Sequence, residues 1–348
     1  MKTTFQDQTL FIGIDVHKKS WTVSIMGEYN EHKTFTQPAE ASTLQQYLQK
    51  NFPGAKYKAV YEAGFSGFHT YTDLRSLGVD CIVVNPADVP TNDKDKKRKS
   101  DPVDSKKLAR SLRAGELTCI HVPAEELLKD RSILRYRNKL VRDQTRCKNR
   151  IKSHLLFYGI SIPLEYDNST WSNEFMVWLN EKARTDINLS MLLEQLANTK
   201  QLIRKANKEV GKLSKLEKYK STIELLQTIP GIGRLTAVTI ALELDDINRF
   251  SSFDKLCAYV GLVPNTHTSG EAEKVGNITG RANNQIRSYL IEASWIVVRK
   301  DPEMMGAFTK LCKRMKKNEA IVRIAKKMLS RIKAVLTTRK PYEINYNL

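Results

Sequence analysis

Four carboxylates in the first third of the chain have the residue types and positions of a divalent-metal site. Asp15 lies within the apolar run FIGIDV, which has the pattern of a buried strand, and Glu62 ends a later run, KAVYEA, just before a glycine-containing turn. Asp101 and Asp104, in SDPVDSKKLA, are three residues apart at a predicted helix start and share one helix face. Converging carboxylates need a cation between them, and all-oxygen ligation is typical of Mg²⁺ or Mn²⁺. The set therefore indicates phosphoryl-transfer chemistry.

Each of these acids also has a structural interpretation when it is considered alone. Asp101 fits an ordinary N-cap ahead of Pro102, which suits a first helical turn, and Glu62 fits a surface residue at a strand end. Asp15 resists such an interpretation, because an acid within a buried strand needs a partner. The metal interpretation therefore depends on the four residues together.

A serine near the other end of the chain has a setting that suits nucleophilic chemistry. Ser269 precedes Gly270 in the predicted long loop from Asn265 to Thr279, and Arg281 and Arg287 follow it. A nucleophilic hydroxyl must be exposed and must have positive groups nearby to neutralise a pentavalent phosphate. A surface hydroxyl without any catalytic role fits the same local spacing, so both interpretations stay open at this point.

The segment TIPGIGRLTAVTI, residues 228–240, predicts a hairpin between two helices. Its proline–glycine turn is expected to expose the backbone amides of Ile232 and Gly233 at the start of the second helix, beside Arg234. Such amides bind a phosphate without reading base sequence. A simple tight turn between two packed helices is the alternative.

The charge of the whole chain favours a polyanionic partner. Its 348 residues include 57 Lys and Arg against 38 acidic residues, a formal charge of +19. Lys97 and Arg98 belong to the run NDKDKKRKS, which is too polar to pack and predicts a loop able to contact nucleic-acid backbone. The five cysteines are scattered without a zinc-site spacing, and no apolar run reaches the roughly 20 residues of a membrane span, so we expect a cytoplasmic protein with reduced thiols.

The elements that must position these residues fall into three predicted domains. Residues 1–122 alternate β-rich runs with helices, and three strands precede the first helix, which predicts an α/β domain with a mixed sheet. Residues 123–217 predict long paired helices, a coiled-coil arm with a basic face. Residues 218–348 predict a compact, mostly α-helical domain that contains the hairpin and the serine loop.

Five segments, taken in order and spacing, resemble the transposases of DEDD insertion sequences and the related Piv-type DNA invertases. They are GIDVHKKSW, VYEAGFSG, KSDPVDSKKLA, the TIPGIG hairpin and GLVPNTHTSGE, and the resemblance covers nearly the whole chain. It implies a RuvC-like (RNase H-like) first domain and a carboxy-terminal transposase domain with a helix-hairpin-helix. It also implies that Asp15, Glu62, Asp101 and Asp104 bind the metal and that Ser269 is the nucleophile.

The resemblance further implies a covalent mechanism. The serine attacks a DNA phosphate, the strands exchange, and the released hydroxyl reverses the step without hydrolysis or ATP. It implies a homo-oligomer, a tetramer or dimer of dimers with composite active sites, in a nucleoid-associated prokaryotic setting. A structured guide RNA would pair with the double-stranded donor and target DNA.

The chain departs from the family pattern at one place. Many relatives carry a lysine–arginine–glycine run after an Ile–Thr pair, whereas Gly280, Arg281 and Ala282 follow that pair here. Arg281 is therefore the residue expected to take the basic role.

Two other functions remain open on the sequence. A RuvC-like junction nuclease would hydrolyse DNA with the four carboxylates alone, and a non-catalytic scaffold would bind nucleic acid through charge alone. A requirement for Ser269 separates the recombinase from the nuclease, and metal dependence separates both from the scaffold.

Overall fold

The computed structural model describes residues 5–91, 100–167, 170–269, 272–280 and 282–344, with the backbone alone for residues 265–277. The chain packs as two units, Met1–Val122 and Pro123–Leu348. The division into three domains stays a prediction.

A five-stranded mixed sheet forms the centre of the first unit. Its strands are β1 (Thr9–Val16), β2 (Ser20–Met26), β3 (Glu31–Pro38), β4 (Lys56–Glu62) and β5 (Asp80–Val84), in the order β3-β2-β1-β4-β5. The first three strands form an antiparallel meander, and β4 and β5 run parallel to β1. The predicted mixed sheet that opens with a meander is confirmed.

Helices bury both faces of this sheet. The helices are α1 (Ala41–Asn51), α2 (His69–Ser76) and α3 (Asp101–Ala114). Leu44 and Leu48 of α1 and Leu74 of α2 join the core that contains Ile12 and Ile14 of β1. A smaller cluster contains Leu108 of α3 together with Val60 of β4 and Val84 of β5. Continuous burial of this kind suits the nearly unbroken apolar runs of β1 and β4.

Gly13 allows α3 to lie directly on β1. A Cβ at this position would overlap the backbone oxygen of Ser105 and the backbone nitrogen of Ala109. The contact is reinforced by a buried hydrogen bond of 2.8 Å between the hydroxyls of Ser105 and Ser24. This close approach brings the start of α3, with its two aspartates, to the end of β1.

The second unit is mostly helical. Its helices are α4 (Glu125–Phe157), α5 (Asn173–Ala183), α6 (Ile187–Leu213), α7 (Glu217–Gln227), α8 (Arg234–Leu244), α9 (Phe253–Val260), α10 (Asn284–Lys300), α11 (Pro302–Cys312) and α12 (Lys317–Thr338). The long helices α4 and α6 pack against each other, as the sequence predicts, while their description as a coiled coil stays a prediction. Arg131, which the sequence places on the basic face of α4, is instead buried and donates to the backbone oxygens of Leu242 and Glu243.

The segment predicted as a loop from Asn265 to Thr279 forms a β-hairpin. Strand β6 (Pro264–Ser269) pairs antiparallel with β7 (Ala272–Ile278). The prediction was wrong because the residues NTHTS and AEKVGN lack the alternation of apolar and polar side chains that identifies a half-buried strand.

The five cysteines form no disulfide. Within the ranges that the structure describes, no helix combines the length and the apolar character needed to span a membrane.

Candidate metal centre and serine hairpin

Two of the four predicted acids lie side by side on neighbouring parallel strands. Ile14 of β1 is opposite Tyr61 of β4, so the residues that follow, Asp15 and Glu62, are at the same level of the sheet. Neighbouring strands are about 4.8 Å apart, which puts both carboxylates at one sheet edge. This edge is formed by the carboxyl ends of parallel strands, where α/β proteins commonly bind ligands.

The third acid reaches this edge from helix α3 and is linked to Asp15 by a histidine. His17 Nε2 lies 3.2 Å from Asp15 Oδ2 and 3.3 Å from Asp101 Oδ2. One ligand atom from each of these three residues lies within 4.8 Å of the others, close enough to share one metal ion. Asp101 therefore lies at the start of α3 and also contacts the group around Asp15.

The fourth acid is linked to Glu62 by a lysine. Lys107 Nζ lies 3.2 Å from Asp104 Oδ1 and 3.6 Å from Glu62 Oε1, and its side chain is only 13% exposed. The structure thus arranges the four predicted acids as two pairs, each bridged by a basic side chain. The acids come from β1, from β4, which pairs with β1, and from α3, which lies on β1 at Gly13.

The pKa of Asp15 depends first on burial and then on the charges around it. Burial raises the pKa of Asp15, His17 lowers it, and the carboxylates of Asp101 and Asp104 raise it further, so that the net shift is upward. A divalent cation would reverse this balance, because it favours ionised carboxylates. Carboxylate oxygens are the ligands that Mg²⁺ and Mn²⁺ prefer, so Asp15 and Asp101, which lie close enough to share an ion, fit such a metal. Glu62 and Asp104 contact Lys107 and stay predicted ligands.

Sequence reasoning missed His17 and Lys107, although a spacing signal exists for both. His17 is two residues beyond Asp15, the interval that returns a side chain to the same side of a strand. Lys107 is three residues beyond Asp104, the interval of one helix face. A histidine or lysine at such an interval from a candidate metal ligand is expected to contact it.

Ser269 lies at the tip of the β-hairpin in the second unit. It is the last residue of β6 and pairs with Ala272, the first residue of β7. Arg281, predicted to act near this serine, lies outside the described residues.

Arg287, predicted as a nucleic-acid contact, bonds to the ends of the hairpin in this structure. Its Nη1 donates to the backbone oxygens of Thr279 at 2.6 Å and Gly261 at 3.2 Å, and its Nη2 donates to Asn284 Oδ1 at 2.6 Å. These bonds use three of the five guanidinium N–H groups, so a contact between Arg287 and phosphate stays a prediction. Arg287 ties both ends of the hairpin to the start of α10.

The TIPGIG turn joins α7 to α8, and the backbone amide of Ile232 within it is not exposed as predicted. The amide of Ile232 donates to Ile229 O at 3.1 Å, and the Ile232 side chain is buried, so its predicted exposed amide was wrong. Gly231 has a φ of 90° and lies against the backbone of Ala293, which explains the glycine. Gly233 and Arg234 are exposed at the amino end of α8, and phosphate binding by this helix end stays a prediction. Lys97 and Arg98 lie outside the described residues.

Comparisons with known proteins match both units. The model of the IS110-type DEDD family, described as a transposase, matches residues 12–160, and that of the transposase IS116/IS110/IS902 family matches residues 223–309. A putative transposase of Sinorhizobium fredii, y4qE, is 29% identical over 82% of this chain and 71% of its own length. The transposase for insertion sequence element IS1111A of Coxiella burnetii is 26% identical over 81% of this chain and 78% of its own.

A third relative has a related activity in its name. The pilin gene-inverting protein of Moraxella bovis is 33% identical over 34% of this chain and 38% of its own length. The acids at the sheet edge lie within the first matched region, and the serine hairpin lies within the second. The chain belongs to the DEDD transposase family of IS110-type insertion sequences, whose members cut and rejoin DNA.

Proposed function

We propose that this transposase depends on Mg²⁺ or Mn²⁺ and rejoins DNA through a covalent phosphoserine link at Ser269. The observation that carries the proposal is the gathering of four carboxylates at one sheet edge, in a chain of this family that also presents a serine at a hairpin tip. In this proposal Asp15, Glu62, Asp101 and Asp104 are the metal ligands.

In the proposed reaction, each phosphoester bond that breaks is replaced by a new one. A divalent cation bound by the four acids would neutralise charge on the phosphate under attack. The Ser269 hydroxyl forms a phosphoester bond as one in the DNA strand breaks, and the serine proton passes to the departing hydroxyl oxygen. A hydroxyl of the exchanged strand then reverses the step and releases the serine. Because one ester bond replaces another, no ATP is consumed.

The remaining groups supply nucleic-acid contacts in this proposal. The exposed Gly233 and Arg234 at the α8 amino end bind backbone phosphate as part of a helix-hairpin-helix, and Lys97, Arg98 and Arg281 add positive charge. Such contacts are insensitive to base sequence. From the resemblance to the family, the proposal includes a structured guide RNA that chooses the DNA. The active assembly is a tetramer or a dimer of dimers with paired helical arms, associated with the nucleoid.

The serine is tested by recombination between two plasmids in cells, one of which carries the encoding element with its flanking DNA. Ser269→Ala is expected to abolish recombinant products, because the nucleophile is gone. Thr268→Ala removes a neighbouring hydroxyl of the same strand and is expected to retain them. Normal cleavage by Ser269→Ala would instead support a junction nuclease that uses metal-activated water.

The metal ligands are tested by separating binding from cleavage. Asp15→Asn and Asp104→Asn are expected to leave salt-sensitive DNA binding intact and to abolish cleavage, as is removal of divalent ions with EDTA. Asp73→Asn, at an acid of α2 that is not among the four predicted ligands, is the matched control and is expected to cleave normally. Unchanged cleavage by both active-site variants would overturn the metal assignment.

The guide RNA is tested by purifying the protein from cells that carry the element and sequencing the bound RNA. A discrete structured RNA encoded by the element is the expected result. Recovery of only random cellular RNA fragments would contradict RNA guidance. It would not bear on the cleavage chemistry, which the Ser269, Asp15 and Asp104 variants test.

A further inference from the structure

A cavity in the second unit has basic walls and belongs to no site described above. Its volume is about 460 Å³, and it lies between helix α4 and the amino end of α10. The groups that matter on its wall are Arg135, Asn138, Lys139, Arg142, Glu243 and Gln285. We call it the α4–α10 cavity.

The single carboxylate of the α4–α10 cavity is already neutralised. Arg135 Nε and Nη2 donate to the two oxygens of Glu243 at 2.8 Å each, and Asn283 Nδ2 adds a third bond of 2.9 Å. Burial alone would raise the pKa of Glu243, but the hydrogen bonds and charge of Arg135 outweigh it and lower that pKa. The glutamate therefore remains ionised and occupied by its partners.

Two cations remain in the cavity without a counter-ion. Lys139 and Arg142 are exposed, lie three residues apart on α4, and form no ion pair with a carboxylate in the described ranges. Residues at this interval lie on one face of a helix. The cavity therefore has a net positive charge that its own carboxylate does not cancel.

Two buried amide groups in the wall have donors without acceptors. Asn138 Oδ1 accepts from Arg137 Nη1 at 3.0 Å and from Tyr289 OH at 3.1 Å. Since a guanidinium can only donate, the oxygen must face Arg137, and the Asn138 Nδ2 group is left buried without a partner. Gln285 Nε2 is likewise buried without a partner. Unsatisfied buried donors cost free energy, and an acceptor-rich ligand would remove that cost.

We propose that the α4–α10 cavity clamps one backbone phosphate of the DNA on which Ser269 acts. The phosphate oxygens accept from Asn138 Nδ2 and Gln285 Nε2, and Lys139 and Arg142 neutralise the charge. DNA is the favoured source because Arg287 ties the ends of the serine hairpin to Asn284, which is also on the cavity wall. This inference rests on the proposed function, since that function places DNA at the hairpin.

The first test replaces one hydrogen-bond donor, the side-chain amide of Asn138, with an acceptor of nearly the same shape. Asn138→Asp keeps the oxygen that Arg137 and Tyr289 need, but places a carboxylate oxygen where the free amide donor was. Its affinity for a short duplex of arbitrary sequence, measured in EDTA, is expected to fall about tenfold, while its thermal midpoint stays near that of the parent. Unchanged affinity in a folded variant would overturn the clamp.

The second test removes the surface charges, which the fold does not need. The Lys139→Gln/Arg142→Gln double variant is expected to lower the slope of log Kd against log salt by about 1, the effect of one lost phosphate contact. Lys208→Gln, an exposed lysine of α6 outside the cavity, is the charge control and is expected to keep the slope. An equal change in both proteins would show general screening and would contradict a specific site.

Free phosphate and RNA are distinguished from DNA in the same assay. Inorganic phosphate could raise the thermal midpoint of the parent but not that of Asn138→Asp, while the two proteins bind duplex DNA equally. That result would show that the site binds a small anion, and it would overturn the DNA assignment. An Asn138→Asp defect confined to RNA would overturn it as well. Because EDTA removes metal-dependent chemistry, failure of the phosphoserine mechanism would leave these binding results unchanged, and the two failures are distinguishable.

Discussion

Asp15 illustrates how much a single residue predicts. An acid within an apolar strand requires a compensating partner, and that requirement is readable from FIGIDV alone. The identity of the partners was less accessible: Asp101 reaches Asp15 only because α3 packs on β1, a contact between segments far apart in the chain. His17 lies between the two acids, and its position two residues after Asp15 is the sequence signal for this contact.

Because the pKa of Asp15 is raised in the folded chain, the metal-free protein is expected to lose stability as pH rises. A carboxyl whose pKa is higher in the folded chain gives its full stabilisation below its unfolded pKa and loses it as pH rises through the folded pKa. In EDTA at neutral pH, Asp15→Asn is therefore expected to melt at a higher temperature than the parent, and the difference should vanish below about pH 3.8. Thermal melts across pH measure this.

Added Mg²⁺ provides the control for that melt. The ion is expected to raise the thermal midpoint of the parent more than that of Asp15→Asn, because a ligand that binds only the folded state stabilises it. A variant that melts below the parent in EDTA at neutral pH would show that Asp15 has a structural role instead.

At the scale of elements, helix α3 was predictable and the serine hairpin was not. Pro102 indicates the first turn of α3, and the helix begins at Asp101, one residue before the proline, with Ser100 at the N-cap position. The hairpin strands carry small and charged residues, so their pairing depends on contacts outside the local pattern, such as the bonds from Arg287 to Thr279 and Gly261.

The contact of α3 with β1 predicts the effect of a single methyl group. Gly13→Ala would place its Cβ against the backbone of Ser105 and Ala109, so α3 must shift. We expect a loss of about 1–3 kcal/mol in the free energy of unfolding, measured by urea denaturation, together with loss of DNA cleavage. Gly64→Ala is the matched control, since its nearest heavy atom would be 3.9 Å away. Wild-type stability and cleavage for Gly13→Ala would disprove this role of the glycine.

The hairpin bonds predict a local change in dynamics. Arg287→Gln is expected to speed amide hydrogen exchange in residues 264–278, because the hairpin ends lose their ties to α10. Arg299→Gln, later on the same helix, removes an equal charge whose Nε bonds only within α10, and should leave the hairpin unchanged. Equal protection in all three proteins would show that other contacts hold the hairpin.

At the scale of the whole molecule, composition predicted the class of partner and the order of motifs predicted the family. A charge of +19 favours nucleic acid, and the family matches extend over both units. Composition could not predict the α4–α10 cavity, because its walls come from helices that are adjacent only after folding.

The proposed covalent bond between Ser269 and a DNA phosphate can be detected directly. Protein from cells that carry the element is denatured, digested with nuclease and protease, and the peptide that contains Ser269 is analysed by mass spectrometry. The parent is expected to carry a nucleotide on Ser269, and Asp104→Asn is expected to carry none. Recombination by the parent at its normal rate, with Ser269 unmodified throughout a time course that covers strand cleavage, would contradict the account.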